Sequence, residues 1–285
     1  MKLPEVNIQQ LLEAGVHFGH HKKRWNPKMQ EYIFGIRNNI HIIDLRITLP
    51  LLNKALEALY NIALKSGKIL FVGTKKQASS YVENIANSTN QYFISKRWLG
   101  GTLTNWNTIS NSIKRLDNLE EKISKDENKI SKKELLNLKR ERDKLNNAIG
   151  GIRNMSTLPD LIIVLDTVKD KIAVKEAVKL NIPVMGICDS NSDPNFINYP
   201  IPGNDDAIRS IDLYINLFSE TIVNARNNIK SEEDVGESLS PPTESGLKQK
   251  SNIKTKSAKK ENIKKTTKEN MKKTTKGNIK KTIKK

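Results

Sequence analysis

The chain of 285 residues has one cysteine, Cys188, no long apolar run and a deficit of acidic side chains. A single cysteine excludes an internal disulfide and fits a reducing compartment. The opening Met1-Lys2-Leu3-Pro4-Glu5 carries no apolar leader, and nothing approaches the roughly 18 consecutive apolar residues of a membrane span. A soluble, intracellular, cytoplasmic protein with no membrane contact is therefore expected. Signatures of catalysis are missing too. There is no Gly-x-x-x-x-Gly-Lys loop, no Gly-x-Gly-x-x-Gly fingerprint, no cysteine spacing for zinc and no Ser/His/Asp order. The expectation is no catalytic residue, no cofactor, no resident metal and no small-molecule substrate.

Basic charge is what the chain has in excess, with 49 Lys+Arg against 31 Asp+Glu and a net charge of +18. It is unevenly spread. Residues 1–230 hold 33 basic and 24 acidic side chains, residues 231–247 hold five acids and no base, and residues 248–285 hold 16 Lys and 2 Glu. A polyanion is the natural partner, most commonly nucleic acid. An AT-biased genome also yields a Lys-, Asn- and Ile-rich chain, so basicity alone does not decide.

Along the chain, Asn7 to Ala14 reads as a short helix capped by Asn7 and Gln10 and stopped by Gly15. Ile40 to Leu45 reads as a strand buried on both faces. Pro50 sits near the first turn of a helix carrying Leu52, Leu56, Leu59 and Ile62. The strand Lys68 to Gly73 then runs into Thr74-Lys75-Lys76-Gln77, which has capping-box spacing. Later come a strand at Leu161 to Leu165, a helix around Lys171 to Leu180 and a strand at Ile182 to Ile187. A helix from Asp205 to Arg226, with Asp205 placed as its N-cap, closes the domain. This alternation predicts an α/β fold, a parallel sheet with helices on both faces.

Two segments break the pattern. Between Asn105 and Gly150, Ile109, Ile113, Leu116 and Ile123 recur at 4/3 spacing. Leu135, Leu138, Leu145, Ile149 and Ile152 answer them, with Arg142 in a missed core slot and Ser131-Lys132-Lys133-Glu134 restarting the second helix. That predicts an antiparallel coiled-coil hairpin over 105–150 inserted into a discontinuous α/β domain, 1–104 and 151–230. Residues 231–247 read as an acidic linker. Residues 248–285, with an eight-residue lysine repeat, carry too little apolar content to fold and are expected to be disordered.

Candidate contacts cluster in three places. Lys96-Arg97-Trp98-Leu99-Gly100-Gly101-Thr102-Leu103-Thr104-Asn105-Trp106 joins cations, indoles and a glycine pair at a strand end. Arg97 can fork onto a phosphate and an indole can stack on a base, or the tryptophans are core plugs under a surface loop. Lys75 and Lys76 oppose the helix dipole unless an anion sits there. Lys22, Lys23, Arg24 and Trp25, following His17, His20 and His21, read as a basic arm with an aromatic rather than as a zinc site. The acid-rich loop Cys188 to Pro194, with Asp205 and Asp206, lies where open α/β sheets bind ligands. Asp189, Asp193 and Asp206 could hold Mg²⁺ for phosphoryl transfer, or serve as turn and cap residues. A third reading is a nonspecific nucleic-acid binder acting through the tail.

Several long motifs then occur in series: His17-Phe18-Gly19-His20, Trp25-Asn26-Pro27-Lys28-Met29, Phe71-Val72-Gly73-Thr74-Lys75-Lys76, Arg97 to Asn105, Leu158-Pro159-Asp160 and Ile201 to Arg209. Together they resemble the small-subunit ribosomal protein S2 family, bacterial or organellar type, over about residues 5 to 226. The resemblance implies a flavodoxin-like domain with a protruding coiled coil and a structural role without catalysis. It implies binding to small-subunit ribosomal RNA, and neighbouring ribosomal proteins that include the messenger-recruiting S1 protein. The location would be the cytoplasmic, or an organellar, ribosome. Lys22, Lys23, Arg24, Trp25, Lys75, Lys76, Lys96, Arg97, Trp98, Gly100, Gly101 and Asn105 become candidate RNA contacts. The chain departs from the family pattern in Cys188-Asp189-Ser190-Asn191 and in the lysine repeats.

Overall fold

A computed structural model describes residues 3–126 and 131–238. Its first helix, α1 (Ile8–Glu13), carries the capping box read from the sequence: Asn7 Oδ1 accepts from the Gln10 N–H at 2.8 Å, and Gln10 Oε1 accepts from the Asn7 N–H at 3.1 Å.

Residues 17–43 differ from expectation. They form a small antiparallel sheet of β1 (Phe18–His21), β2 (Ile33–Arg37) and β3 (Ile40–Ile43), in the order β1-β3-β2. The basic arm is thus the turn after β1, leading into a 3-10 helix at Pro27–Tyr32. Strand β3 is not buried on both faces, because only one face of this sheet is covered: His41 and Ile43 are buried while Ile40 is exposed. Asn38 and Asn39, both at positive φ, make the tight hairpin turn between β2 and β3.

Helix α2 (Leu45–Leu64) begins earlier than Pro50 suggested. Asp44 caps it, accepting from the Arg46 N–H at 2.9 Å, and Pro50 lies within the helix. Then come β4 (Ile69–Val72), α3 (Lys76–Ser88), β5 (Tyr92–Ile94), α4 (Trp106–Asp126), α5 (Lys132–Ile149), β6 (Leu161–Val164), α6 (Lys171–Lys179), β7 (Val184–Cys188), β8 (Tyr199–Pro202) and α7 (Ile208–Ser238). The five strands β4 to β8 pair in parallel in the order β5-β4-β6-β7-β8. Counted within the sheet this is 2-1-3-4-5, the flavodoxin-like order, with its switch point between β4 and β6. Strand β8, unmarked by the sequence pattern, contains Pro200 and Pro202, which an edge position tolerates.

Alternation divides the sheet into two cores. Ile69, Phe71, Leu161, Ile163, Met185 and Ile187 face α2, α3 and α7. Leu70, Val72, Ile162, Val164, Val184 and Cys188 face α6 and the base of α4 and α5. In α4 the four residues picked by spacing, Ile109, Ile113, Leu116 and Ile123, are buried. Opposite them Leu135, Leu138 and Leu145 are half-buried and Ile149 is buried. Arg115 pairs with Glu141 at 2.5 Å across the two helices, and Arg153 reaches Asp117 and Glu120 at 2.5 and 2.7 Å. Arg142 pairs with Asp143 beside it.

The capping box at Thr74 does not form. Lys75 is the N-cap of α3 without a side-chain cap bond, and Thr74 Oγ1 donates instead to Asp170 at 2.8 Å. Nor does Asp205 cap α7. Asn204 Oδ1 takes the N–H groups of Asp206 and Ala207 at 2.8 and 3.1 Å, leaving the Asp205 carboxylate for another task. Helix α7 runs past Arg226 because no Gly or Pro interrupts residues 209–235. Its last eight residues occupy the start of the expected linker. The rest of that linker and the lysine repeats lie outside the described residues. No described helix is long and apolar enough to cross a membrane.

Candidate nucleic-acid interface

The loop after β5 is organised from within by one residue that the sequence pattern does not single out. Glu176 on α6 is buried, and its carboxylate accepts five hydrogen bonds. Oε1 takes Trp98 Nε1–H at 3.1 Å and the Gly101 N–H at 2.7 Å; Oε2 takes the N–H groups of Leu103 and Thr104 at 3.0 and 3.1 Å and the Thr104 hydroxyl at 3.1 Å. Gly101 turns its N–H inward at φ +90°, a conformation glycine adopts without strain. Burial works against the charge of Glu176. The bonds from Thr104, Trp98, Gly101 and Leu103 outweigh it and hold the carboxyl below its ordinary value. A glutamate at a core position beside Ala173, Val174 and Ala177 was the available signal.

This arrangement divides the candidates in the loop. Trp98 is 6 % exposed, so it is a core plug and not a stacking platform; Gly101 is half-buried and serves the turn. Lys96, Arg97, Gly100 and Asn105 face outward. Arg97 has no ion-pair partner among the described residues, while Lys96 is shared with Glu83 and Ser79, both at 3.2 Å. Lys76 and Lys96 line one cleft of about 460 Å³, together with Thr74, Ser79, Ser80, Glu83, Ser95 and Lys169. Its ammonium and hydroxyl groups suit phosphate oxygens, the one carboxylate, Glu83, being taken up by Lys96 and Ser95.

Lys75 turns inward. Its Nζ lies 3.2 Å from Asp166, 3.0 Å from Asp205 and 2.7 Å from Asp206. The anion that the sequence called for is the protein's own set of carboxylates, so Lys75 leaves the list of exposed contacts. Burial opposes its charge, but the aspartates, Asp205 foremost, raise its pKa well above the ordinary lysine value. His20 completes the cluster, with Nδ1 at 2.9 Å from Asp189 and Nε2 at 3.4 Å from Asp206. The Asp189 hydrogen bond raises the imidazole pKa against burial. Asp205 moves the other way from an exposed acid. Burial, then Asp166 and Asp189, push it up to about 7 despite Lys75.

Metal ligands fall differently from either expected set. Among the described residues, His20, Asp189 and Asp205 offer ligand atoms within 4.8 Å of one another, but the Lys75 ammonium already sits 3.0 Å from Asp205 and His20 pairs with Asp189. The three histidines do not converge: the His17 ring lies tilted against Phe18 and His21 is exposed. Asp193 is engaged elsewhere, by Lys28 at 2.7 Å.

The turn after β1 is pinned at both ends, by the Lys22 N–H on Asn39 O and the Asn26 N–H on Ser190 O, each at 2.8 Å. Gly19 permits the approach behind it, since a Cβ there would lie 2.9 Å from Ser190 Oγ. Lys22, Lys23, Arg24 and Trp25 project from this frame, with Trp25 39 % exposed and its ring 5.4 Å from that of His41.

The sequence profile of the family described as ribosomal protein S2 matches residues 11–225. The chain belongs to the ribosomal protein S2 family. It is 53 % identical over 249 residues to the small ribosomal subunit protein uS2 of Rhizobium rhizogenes, covering 87 % of this chain and 97 % of the relative. The protein of the same name from Rhodopseudomonas palustris is 55 % identical over 247 residues, covering 86 % and 74 %. That of Agrobacterium fabrum is 52 % identical over 249 residues, covering 87 % and 98 %. Membership in the S2 family agrees with the expectation of a structural protein and not an enzyme. The profile match ends at Ala225 in α7, so the acidic and lysine-rich segments fall beyond the profile.

Proposed function

We propose that this chain is a structural constituent of the small ribosomal subunit, held to ribosomal RNA by two rigidly backed groups of exposed cations. Lys96 and Arg97, with Lys76 beside them, contact phosphates from the β5 loop, where Gly100 allows close backbone approach and the exposed Asn105 amide offers a hydrogen bond. Lys22, Lys23 and Arg24 do the same from the β1 turn, where Trp25 stacks on a base. The single observation that carries this is the β5 loop itself: a buried carboxylate fixes its inner face while Arg97, with no ion-pair partner among the described residues, faces out. The relatives' name supplies the assembly. Phosphate neutralisation dominates such binding and weakens with salt, and folded RNA is recognised by shape and stacking.

On the same reading the α4 and α5 pair is a coiled-coil protrusion, other small-subunit proteins including S1 are neighbours, and the location is the cytoplasmic ribosome. The test is to express the full chain and a form ending at residue 238 and separate lysates on sucrose gradients at moderate salt. Co-migration of both forms with small subunits supports the proposal. Co-migration of the full chain alone would make the lysine repeats the binder, and co-migration of neither would overturn the ribosomal role.

A further inference from the structure

Phe196 is 54 % exposed at the tip of a 3-10 turn (Pro194–Phe196) that follows β7. The turn is fixed: Asp193 accepts from the Asn195 N–H at 3.2 Å, and Lys28 Nζ sits 2.7 Å from Asp193 and 5.8 Å from the Phe196 ring centroid. Between this ring and α6 lies a cleft of about 230 Å³, with Val168 and Val174 as further apolar wall. Lys171 and Lys175 stand on its rim, one helical turn apart and exposed, with no ion-pair partner among the described residues. Asn191 lines it as well, and its Oδ1 is buried without a hydrogen-bond partner. None of these residues is among the RNA contacts expected from the sequence.

We infer that this cleft seats one unpaired nucleotide of the small-subunit RNA, its base stacked on Phe196 and its phosphates on Lys171 and Lys175. An exposed aromatic ring beside cations is the arrangement that takes single-stranded bases without regard to sequence. Charge selects the occupant. The only acid among the lining residues, Asp193, is already neutralised by Lys28, which leaves two free ammonium groups facing an apolar slot. The contact rests on the proposal that the chain is held to ribosomal RNA, but uses different residues and a different face of α6 from Glu176.

The test irradiates small subunits carrying the full chain at a wavelength absorbed by bases, and maps nucleotide adducts by mass spectrometry. An adduct on Phe196 is expected. Lys171→Glu with Lys175→Glu, which leaves the photochemistry of residue 196 intact, should cut its yield by about fivefold or more, the scale of losing two phosphate contacts. Phe196→Trp should retain it. Co-migrating subunits without an adduct at residue 196, an unchanged yield in the double variant, or an adduct seen only after adding a messenger fragment would each overturn the inference. Failure of the chain to co-migrate would overturn the ribosomal reading and this contact with it.

Discussion

Two buried acidic centres stand behind the exposed cations, and they solve the same problem in opposite ways. Glu176 is surrounded by neutral donors. Its charge is dispersed over five hydrogen bonds and its pKa falls. Asp205 is surrounded by other carboxylates and one ammonium, and its pKa rises to about 7. A buried carboxylate is therefore stable against proton uptake when its partners are fixed dipoles, and poised to titrate when its neighbours share its sign. The first centre shapes a loop at any physiological pH. The second joins β1, β7, α3 and the turn before α7 through groups that respond to pH.

The contrast is sharpest at Glu176. Replacing it with Ala leaves the Gly101, Leu103 and Thr104 donors and the Trp98 indole without their acceptor. It should cost about 3 kcal/mol or more, read by urea denaturation. Glu176→Gln should cost less, since one amide oxygen still accepts. Lys75→Met comes next. It strands Asp166, Asp205 and Asp206 without their shared cation and should destabilise by about 2–4 kcal/mol, with part of the loss recovered by adding Asp205→Asn. Glu176→Gln should be indifferent to that second change.

Between pH 6 and 8 the two centres should separate cleanly. His20 and Asp205 both have folded pKa values above their unfolded ones, so at these two groups the native state holds more protons than the unfolded chain in this window, while His17, lowered by burial, works against them. Stability contributed by these groups is present at the acid end and is lost as pH rises through the folded values. The thermal midpoint should fall across the window by roughly 2–4 °C per kcal/mol lost. Asp205→Asn or His20→Gln should flatten the slope, and Glu176→Gln should leave it as it is. The smallest expected effect concerns Cys188. Burial pushes its thiol up to about 12, so a thiol reagent such as dithionitrobenzoate should not label the native protein and should label it fully in denaturant.

The sequence carried the parts of this fold that local periodicity encodes. The α4 and α5 spacing named the buried residues of α4 correctly, and strand and helix alternation predicted the parallel sheet. It did not carry what depends on a distant partner. Strands β1 and β2 are short and pair only through β3, and β8 hides behind prolines that an edge position excuses. The candidate site divided along the same line. Trp98 and Arg97 are adjacent in one motif, yet one is core and the other surface, and the residue that decides it lies 78 positions away. Lys75 and Lys76 likewise part because Asp205, 130 residues on, claims the first. An exposed side chain announces itself by type; the contact that fixes its frame does not.

Cations facing out of an internally fixed frame bind the RNA on this reading, and those turned inward hold the frame. The measurement that tests it most directly is the salt concentration at which the chain leaves small subunits, for the full chain and for Lys96→Ala with Arg97→Ala. The double variant should keep its stability within about 0.5 kcal/mol of the parent but dissociate at distinctly lower salt, with a shallower salt dependence from two lost phosphate contacts. An unchanged dissociation profile in a normally folded variant would contradict the account.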